Sequence, residues 1–193
     1  MNKIPRYHFL NEVKSMISEN PKCMEIGVDT GNFSEVIFRE FNPSRLVLID
    51  PFTEGVDPIT KNDRYPNKEG GFYTQRTVYS NEAGLNSVKS KLSGAIESGI
   101  VEIERGFSTE VLHKFEDDEF DFIYVDACHI YEAVLWDLEN YINKLKPGGM
   151  MAGHDYGATE YGVTEAVHDF CKKYNYEIIM LSTEGDFALS LKK

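Results

Sequence analysis

The stretch Glu25-Ile26-Gly27-Val28-Asp29-Thr30-Gly31, followed by Leu46-Val47-Leu48-Ile49-Asp50, decides the fold of this chain. The first part sets two glycines after an apolar run, which is typical of a turn between a strand and a helix. The second part is an apolar strand that ends on a carboxylate. In open α/β sheets the glycines let a nucleoside approach the backbone, and the carboxylate accepts both ribose hydroxyls. The pair predicts a site for an adenosine-type cofactor; the alternative is a structural turn with Asp50 as a capping residue.

The spacing of the glycines narrows the choice of cofactor. A dinucleotide fingerprint needs Gly-x-Gly-x-x-Gly, whereas this chain has Gly-x-x-x-Gly, and Asp29 would repel a pyrophosphate. A zwitterionic amino-acid tail suits the loop better, because Glu25 or Asp29 can pair with its ammonium group. The segment resembles motif I of the class I S-adenosylmethionine-dependent methyltransferases. This resemblance implies that the cofactor is S-adenosylmethionine and that it contacts several residues of these two strands. They are Glu25, Gly27, Val28, Gly31 and Asp50.

Alternating helical and apolar patterns predict the architecture. Five apolar runs are expected to form parallel strands: Lys22–Gly27, Arg45–Asp50, Ile100–Glu104, Asp121–Asp126 and Met150–Gly153. Two further strands, Glu177–Ser182 and Asp186–Leu191, flank a short glycine turn and are expected to form an antiparallel hairpin. The predicted fold is a Rossmann-like, doubly wound α/β sheet of seven strands, mostly parallel. One domain is expected to span residues 1–193, opening with a helix within residues 1–20.

The helices between these strands are predicted from apolar residues at helical spacing. One helix is expected over Glu82–Glu97. Another carries Val134, Leu138, Tyr141 and Leu145 on one face and is expected to end before Pro147.

Residues 51–81 interrupt the alternation of strand and helix patterns with several prolines and glycines. Loops of this length inside a compact domain are usually functional lids or variable excursions. The aromatic and basic side chains favour a substrate lid, and Tyr65, Tyr73 and Arg76 are the predicted acceptor contacts.

Composition restricts the partners of the chain. It has 193 residues, 41% of them hydrophobic, and a formal net charge of −12, which opposes binding to nucleic acid or to an anionic membrane. A small molecule is the expected partner, and homo-oligomerisation is left open. Cys23, Cys128 and Cys171 form no Cys-x-x-Cys pair, which favours thiols in a reducing cytoplasm. No signal peptide or apolar run of membrane-spanning length is evident, so the predicted location is cytoplasmic.

Polar residues follow each predicted parallel strand, where ligands bind in such sheets. Phe107 and Ser108 are predicted to stack on and hydrogen-bond an adenine, although Ser108 is equally suited to cap the helix that follows, with Glu110 near the capping-box position. Asp126, at the end of the fourth strand, is predicted to contact the cofactor as well.

The most specific motif runs from Asp126-Ala127-Cys128-His129-Ile130-Tyr131 through Pro147-Gly148-Gly149 to His154-Asp155-Tyr156. It resembles a bacterial class I methyltransferase family that reads Asp-Gly-x-His-x-Tyr, then Pro-Gly-Gly and His-Asp-Tyr. Related catechol-type and macrolide or aminocoumarin sugar O-methyltransferases hold a divalent metal at these positions. The resemblance implies Asp126, His154 and Asp155 as ligands of Mg²⁺ or, because His154 replaces an acid, of a softer ion.

Two departures from the related sugar enzymes bear on catalysis. Cys128 stands where they have an acidic general base, and Ala127 replaces a glycine. His129 or His154 is therefore the candidate base, since an imidazole with a pKa of about 6.5 accepts a proton at neutral pH. The alternative for each is a structural histidine at the sheet edge. Cys128 is expected to be a packed thiol, because methyl transfer from a sulfonium needs no covalent enzyme intermediate.

The predicted function is that of an S-adenosylmethionine-dependent methyltransferase acting on an oxygen of a small acceptor, such as a sugar or a natural-product scaffold. A non-catalytic module that binds the same cofactor is one alternative. A nicotinamide-dependent oxidoreductase is the other, and it would require the glycine turn to accept a pyrophosphate.

Overall fold

The computed structural model describes residues 2–53, 81–159 and 162–192, together with the backbone alone of residues 65–66 and 72–73. The strands are β1 (Lys22–Ile26), β2 (Arg45–Asp50), β3 (Tyr65–Pro66), β4 (Phe72–Tyr73), β5 (Val101–Arg105), β6 (Phe120–Val125), β7 (Leu145–Gly153), β8 (Tyr176–Leu181) and β9 (Phe187–Leu191). The helices are α1 (Arg6–Met16), α2 (Asn32–Phe41), α3 (Glu82–Lys91), α4 (Ser93–Glu97), α5 (Ser108–Val111), α6 (Tyr131–Tyr141) and α7 (Val163–Tyr174). One turn of 3₁₀-helix follows α5, and another follows α6.

Seven strands form one sheet in the order β5-β2-β1-β6-β7-β9-β8, and β3 pairs with β4 alone. The strands from β5 to β7 are parallel, whereas β9 runs antiparallel to both β7 and β8. The predicted doubly wound sheet with a C-terminal hairpin is confirmed. The strand order reverses between β1 and β6, and the carboxyl ends of strands at such a reversal form the crevice in which ligands bind.

Both faces of the sheet are covered, which explains why most residues of its central strands are apolar. Successive side chains of β2 point to opposite faces. Leu46 and Leu48 join the core beneath α1, α2 and α3, while Val47 and Ile49 join the core beneath α5, α6 and α7. All four are at most 1% exposed, and burying a side chain of this size stabilises the fold by about 1.5 to 3 kcal/mol.

The helix predicted over Glu82–Glu97 is two helices. Leu92 separates α3 from α4, with φ −111° and ψ 20°, outside the helical region. Its side chain is 3% exposed in the core. Packing of Leu92 therefore outweighs the helical periodicity that spans the break.

The helix predicted to reach Leu145 ends earlier, at Tyr141, and Leu145 is the first residue of β7. Leu145 pairs with Phe120, and a register shift next to Phe120 accommodates Pro147 and the two glycines after it within the strand. The alternative role for Ser108, as the cap of the next helix, is wrong, because Phe107 holds the capping position and its N–H donates to the Glu110 carboxylate at 3.1 Å.

The three cysteines are free thiols, as predicted. In the described part of the chain, no helix combines the length and the apolar character needed to cross a bilayer.

Candidate functional site

The glycine turn after β1 packs directly on the end of β6. Gly27 has φ +88°, and its N–H donates to the carbonyl of Ile49 at 2.9 Å. A Cβ atom at Gly27 would lie 2.1 Å from the carbonyl oxygen of Asp126. Gly31, which precedes α2, has φ +76°, and a Cβ there would lie 2.9 Å from Val88. Both glycines are therefore required by backbone conformation and by close approach.

Asp50 ties the end of β2 to this turn. Its Oδ2 accepts hydrogen bonds from the N–H groups of Val28 and Asp29, both at 3.0 Å, and its Oδ1 accepts from the N–H of Phe52 at 2.8 Å. The residue is 6% exposed. The structure thus brings Asp50 to the predicted cofactor loop, and its contact with a ribose stays a prediction.

Glu25 lies inside the protein beside the same turn. It is 1% exposed and accepts a hydrogen bond from the hydroxyl of Ser34 in α2. Burial, together with the nearby charges of Asp126 and Asp50, raises the pKa of Glu25 well above its usual value. Its pairing with an ammonium group stays a prediction.

Phe107 and Ser108 follow β5 next to Asp50. The N–H of Gly106 donates to the carbonyl of Asp50 at 3.1 Å, and the hydroxyl of Tyr141 donates to the carbonyl of Ser108 at 2.8 Å. Both residues are half-buried. They lie at the edge where an adenine is expected, and that role too stays a prediction.

Four predicted site residues converge at the ends of β6 and β7: Asp126, His129, His154 and Asp155. Nε2 of His129 lies 3.4 Å from Asp126 Oδ1 and 3.0 Å from Asp155 Oδ2. Nδ1 of His154 lies 3.4 Å from Asp155 Oδ1 and 4.0 Å from Asp126 Oδ1. Asp155 therefore holds one imidazole on each of its oxygens. We call these four residues the His–Asp cluster.

The carboxylates of the cluster raise the pKa of both histidines. Burial lowers the pKa of His129, but hydrogen bonds and charge from Asp126 and Asp155 outweigh it and raise the pKa from 6.5 to about 9. The contact with Asp155 raises the pKa of His154 against the effect of burial. Burial raises the pKa of Asp155, but the two histidines outweigh it and hold that pKa well below the ordinary value. At neutral pH, His129 is therefore an imidazolium between two carboxylates.

This charge state makes folding stability depend on pH. A histidine whose pKa is raised on folding stabilises the folded state fully below its unfolded pKa, and the contribution disappears as pH rises through the folded pKa. For His129 this contribution to the free energy of unfolding is lost between pH 6.5 and about 9. At about 1.4 kcal/mol per pH unit, the full contribution is roughly 3 kcal/mol. We expect His129→Gln to be less stable than wild type by this amount at pH 6, and the difference to vanish above pH 9.

Urea unfolding at a series of pH values measures this difference. His8→Gln is the matched control, because His8 is exposed on α1, and its difference from wild type should stay small throughout. A stability difference for His129→Gln that is the same at pH 6 and pH 10 would contradict the assigned charge state.

The predicted lid falls almost entirely on residues 54–80, which lie outside the described residues except for the backbone of β3 and β4. The acceptor contacts predicted for Tyr65, Tyr73 and Arg76 therefore stay predictions.

A buried hydrogen-bond network centred on Asp186 lies beside the cluster and could not be predicted from the sequence. Asp186 lies directly before β9 and is 0% exposed. It accepts hydrogen bonds from the hydroxyls of Tyr124 at 2.6 Å and of Ser182, and from Nε of Arg6 at 2.8 Å. Arg6 and Asp186 stand at opposite ends of the sequence, so no local spacing connects them. The only sequence signal is an acid directly before the apolar run of the last strand.

Comparison with known proteins matches residues 24–156 to the family described as "Methyltransferase domain". An uncharacterised protein of Sinorhizobium fredii, y4gI, is 41% identical over 54 residues, which are 28% of this chain and only 6% of that protein. Among solved structures, the O-methyltransferase NovP superposes with a TM-score of 0.69 at 16% identity, covering 96% of this chain and 80% of NovP. An O-methyltransferase from Bacillus cereus in complex with SAH has a TM-score of 0.60 at 13% identity, over 96% and 79% of the two chains.

The structural neighbours are too distant in sequence to show more than a shared fold. The family match covers most of the chain and contains the glycine turn, Asp50 and the whole His–Asp cluster. At the level of family and fold, the prediction of a class I S-adenosylmethionine-dependent methyltransferase is confirmed. The chain belongs to the methyltransferase-domain family.

Proposed function

We propose that the protein transfers a methyl group from S-adenosylmethionine to an oxygen atom of a small acceptor, such as a sugar or a natural-product scaffold. The observation that carries this proposal is the close packing of the glycine turn on the His–Asp cluster. Gly27 contacts the backbone of Asp126, so a ligand on the turn lies next to the paired imidazoles and carboxylates. The neighbours titled O-methyltransferase support the choice of oxygen.

The residues at the turn fit the cofactor. Gly27 and Gly31 leave the backbone open to a nucleoside, and Asp50 stands at the end of β2, where an acid accepts ribose hydroxyls. Asp126 presents a half-exposed carboxylate that suits an ammonium group. When bound, S-adenosylmethionine supplies an electrophilic methyl group that transfers directly to an acceptor oxygen.

His154 is the proposed general base. Its Nδ1 faces Asp155, which favours the tautomer with the proton on Nδ1 and leaves the Nε2 lone pair to accept a proton. Among the described residues, none forms a hydrogen bond with Nε2 of His154. His129 is held by two carboxylates through its Nε2 and is charged at neutral pH, so it suits a positioning role.

The same donors fit a divalent cation. Asp126, His154 and Asp155 each offer a ligand atom, and these atoms lie within 4.8 Å of one another. Two carboxylates and one imidazole favour ions softer than Mg²⁺. A metal held there would lower the pKa of an acceptor hydroxyl and orient it. It would compete with His129 for Asp126 Oδ1, which favours the metal-free arrangement.

Calorimetry with S-adenosylhomocysteine and NADH tests the cofactor assignment. We expect S-adenosylhomocysteine to bind and NADH to give no heat of binding. Tight binding of NADH alone would favour the oxidoreductase alternative. Binding of S-adenosylhomocysteine without methyl transfer to any member of a panel of sugars and phenols would favour the non-catalytic module.

Asp50→Ala is expected to weaken the binding of S-adenosylhomocysteine by about 1 to 3 kcal/mol, or roughly 5- to 150-fold in affinity, because a charged hydrogen-bond partner is lost. Asp117→Ala is the control, since Asp117 pairs with Lys144 on the exposed surface at 2.7 Å, away from the turn. Unchanged affinity in a folded Asp50→Ala variant would remove Asp50 from the cofactor site.

A further inference from the structure

Arg6, the first residue of α1, lies between the loops on which the proposed function depends. Its Nε donates to Asp186 at 2.8 Å, and its guanidinium carbon lies 5.3 Å from the centre of the Phe33 ring. Phe33 belongs to the first turn of α2, directly after the glycine turn. Its ring in turn contacts Tyr124, near the end of β6, at a centroid distance of 4.2 Å. The guanidinium is thus fixed beside the ends of β1 and β6.

Asp186 also connects Arg6 to the His–Asp cluster. The turn before Asp186 contacts the loop after β7, since the N–H of Tyr156 donates to the carbonyl of Gly185 at 2.9 Å. The same turn packs against the cluster itself, because a Cβ atom built on Gly185 would lie 3.7 Å from the backbone of Asp155. Arg6 therefore lies near both the cofactor side and the acceptor side of the site.

The guanidinium has donors left for a ligand. In the part of the chain that the structure describes, no residue accepts a hydrogen bond from Nη1 or Nη2 of Arg6, and the side chain is 32% exposed. An arginine anchored through Nε presents its remaining N–H groups as a rigid fork, which matches the two oxygens of a carboxylate.

The neighbouring cations at this edge are already engaged. Lys91 donates to the carbonyl of Thr30 at 2.9 Å and to Asn32 Oδ1 at 2.6 Å. Arg105 pairs with Glu82 at 2.5 Å and donates to two backbone carbonyls that follow β2. Arg6, by contrast, has N–H groups on Nη1 and Nη2 that no described residue uses.

We propose that Arg6 binds the carboxylate of the amino-acid part of S-adenosylmethionine. The inference rests on the proposed function and names the residue that recognises one end of its cofactor. The amino-acid part is a zwitterion, and the acidic residues around the turn match only its ammonium end. In a chain of net charge −12, a carboxylate entering this site needs a local cation, and the Arg6 fork supplies it.

Two ligands separate this role from a general effect on the site. S-adenosylhomocysteine carries both charges of the amino acid, whereas 5′-methylthioadenosine has the same adenosine and thioether without the amino acid. We expect Arg6→Gln to weaken the affinity for S-adenosylhomocysteine by about 10- to 100-fold, because a charge-assisted pair of hydrogen bonds is lost. The affinity for 5′-methylthioadenosine should stay within about twofold of wild type. Calorimetry of both ligands measures the difference.

Two further variants keep the test decisive. Arg6→Gln leaves Asp186 buried without its cation. Arg6→Lys is therefore measured as well, because lysine keeps the charge but lacks the fork of N–H groups. This variant should bind S-adenosylhomocysteine several-fold more weakly than wild type. Arg39→Gln makes the same charge change on the exposed face of α2, where Arg39 pairs with Glu40, and should change neither affinity.

The outcomes distinguish this inference from the proposed function. Equal losses for both ligands, or no loss for either, in folded Arg6 variants would overturn the role of Arg6 while the cofactor assignment stands. A wild-type protein that binds neither ligand would overturn the proposed function itself, and the inference with it.

Discussion

Gly27→Ala is expected to destabilise the protein by about 3 to 5 kcal/mol and to abolish cofactor binding in whatever fraction still folds. Two costs add at this position. Alanine at φ +88° is strained, and its Cβ would lie 2.1 Å from the backbone carbonyl oxygen of Asp126. Backbone on both sides prevents relief by a side-chain rotation, so the turn or the end of β6 must move. Urea unfolding and calorimetry with S-adenosylhomocysteine measure the two effects.

Gly94→Ala is the matched control. Gly94 lies in α4 with no atom within 4 Å of a built Cβ, so alanine there should be neutral or add about 0.5 to 1 kcal/mol through helix propensity. If Gly27→Ala unfolds at the same urea concentration as Gly94→Ala, the close packing of the turn on β6 is wrong.

Asp155→Asn is expected to lower kcat by about 10²- to 10³-fold with any acceptor that the wild type methylates, while affinity for S-adenosylhomocysteine stays unchanged. The variant removes the carboxylate that orients His154 and shares charge with His129. Asparagine tolerates the left-handed backbone of this position, where φ is +61°, so the loop should keep its shape. The pKa of His129 should also fall from about 9, which NMR titration of the imidazole detects without any acceptor.

Asp169→Asn is the control for this variant, because Asp169 accepts a hydrogen bond from Tyr131 on the exposed face of α7. Its kcat should stay within about twofold of wild type, as expected for a surface substitution. The wild-type enzyme is expected to keep its activity in EDTA. Activity that EDTA removes and Mn²⁺ restores would instead assign Asp126, His154 and Asp155 as metal ligands. A fully active Asp155→Asn variant would rule out both roles for Asp155.

Much of the fold could be predicted because short-range patterns of apolar and turn residues in the sequence indicate its strands and helices. The prediction for β2, Arg45–Asp50, agrees with the structure at both ends, since an all-apolar run closed by a carboxylate has few other interpretations. The C-terminal hairpin was likewise indicated by its glycine turn. Errors occurred where packing opposed the local pattern, as at Leu92, which interrupts a helix, and at Leu145, which begins a strand.

The candidate site shows the same division. Gly27, Asp50 and the cluster residues could be predicted, because parallel strands deliver their carboxyl ends to one edge and each residue directly follows a strand. The contacts between these cluster residues could not be predicted from the sequence. Only the folded chain shows that Asp155 lies between two histidines, which makes His129 a cation and leaves Nε2 of His154 available.

By itself, the sequence determined the sheet, the glycine turn and the acidic and basic groups at its edge, because these depend on neighbours within a few residues along the chain. The tertiary structure alone decided which groups share a proton, which carboxylates are buried, and that Arg6 meets Asp186 from the other end of the chain. Hydrogen bonds and charge act over a few ångströms in space regardless of sequence separation, so the chemistry of this site follows from contacts that only folding creates.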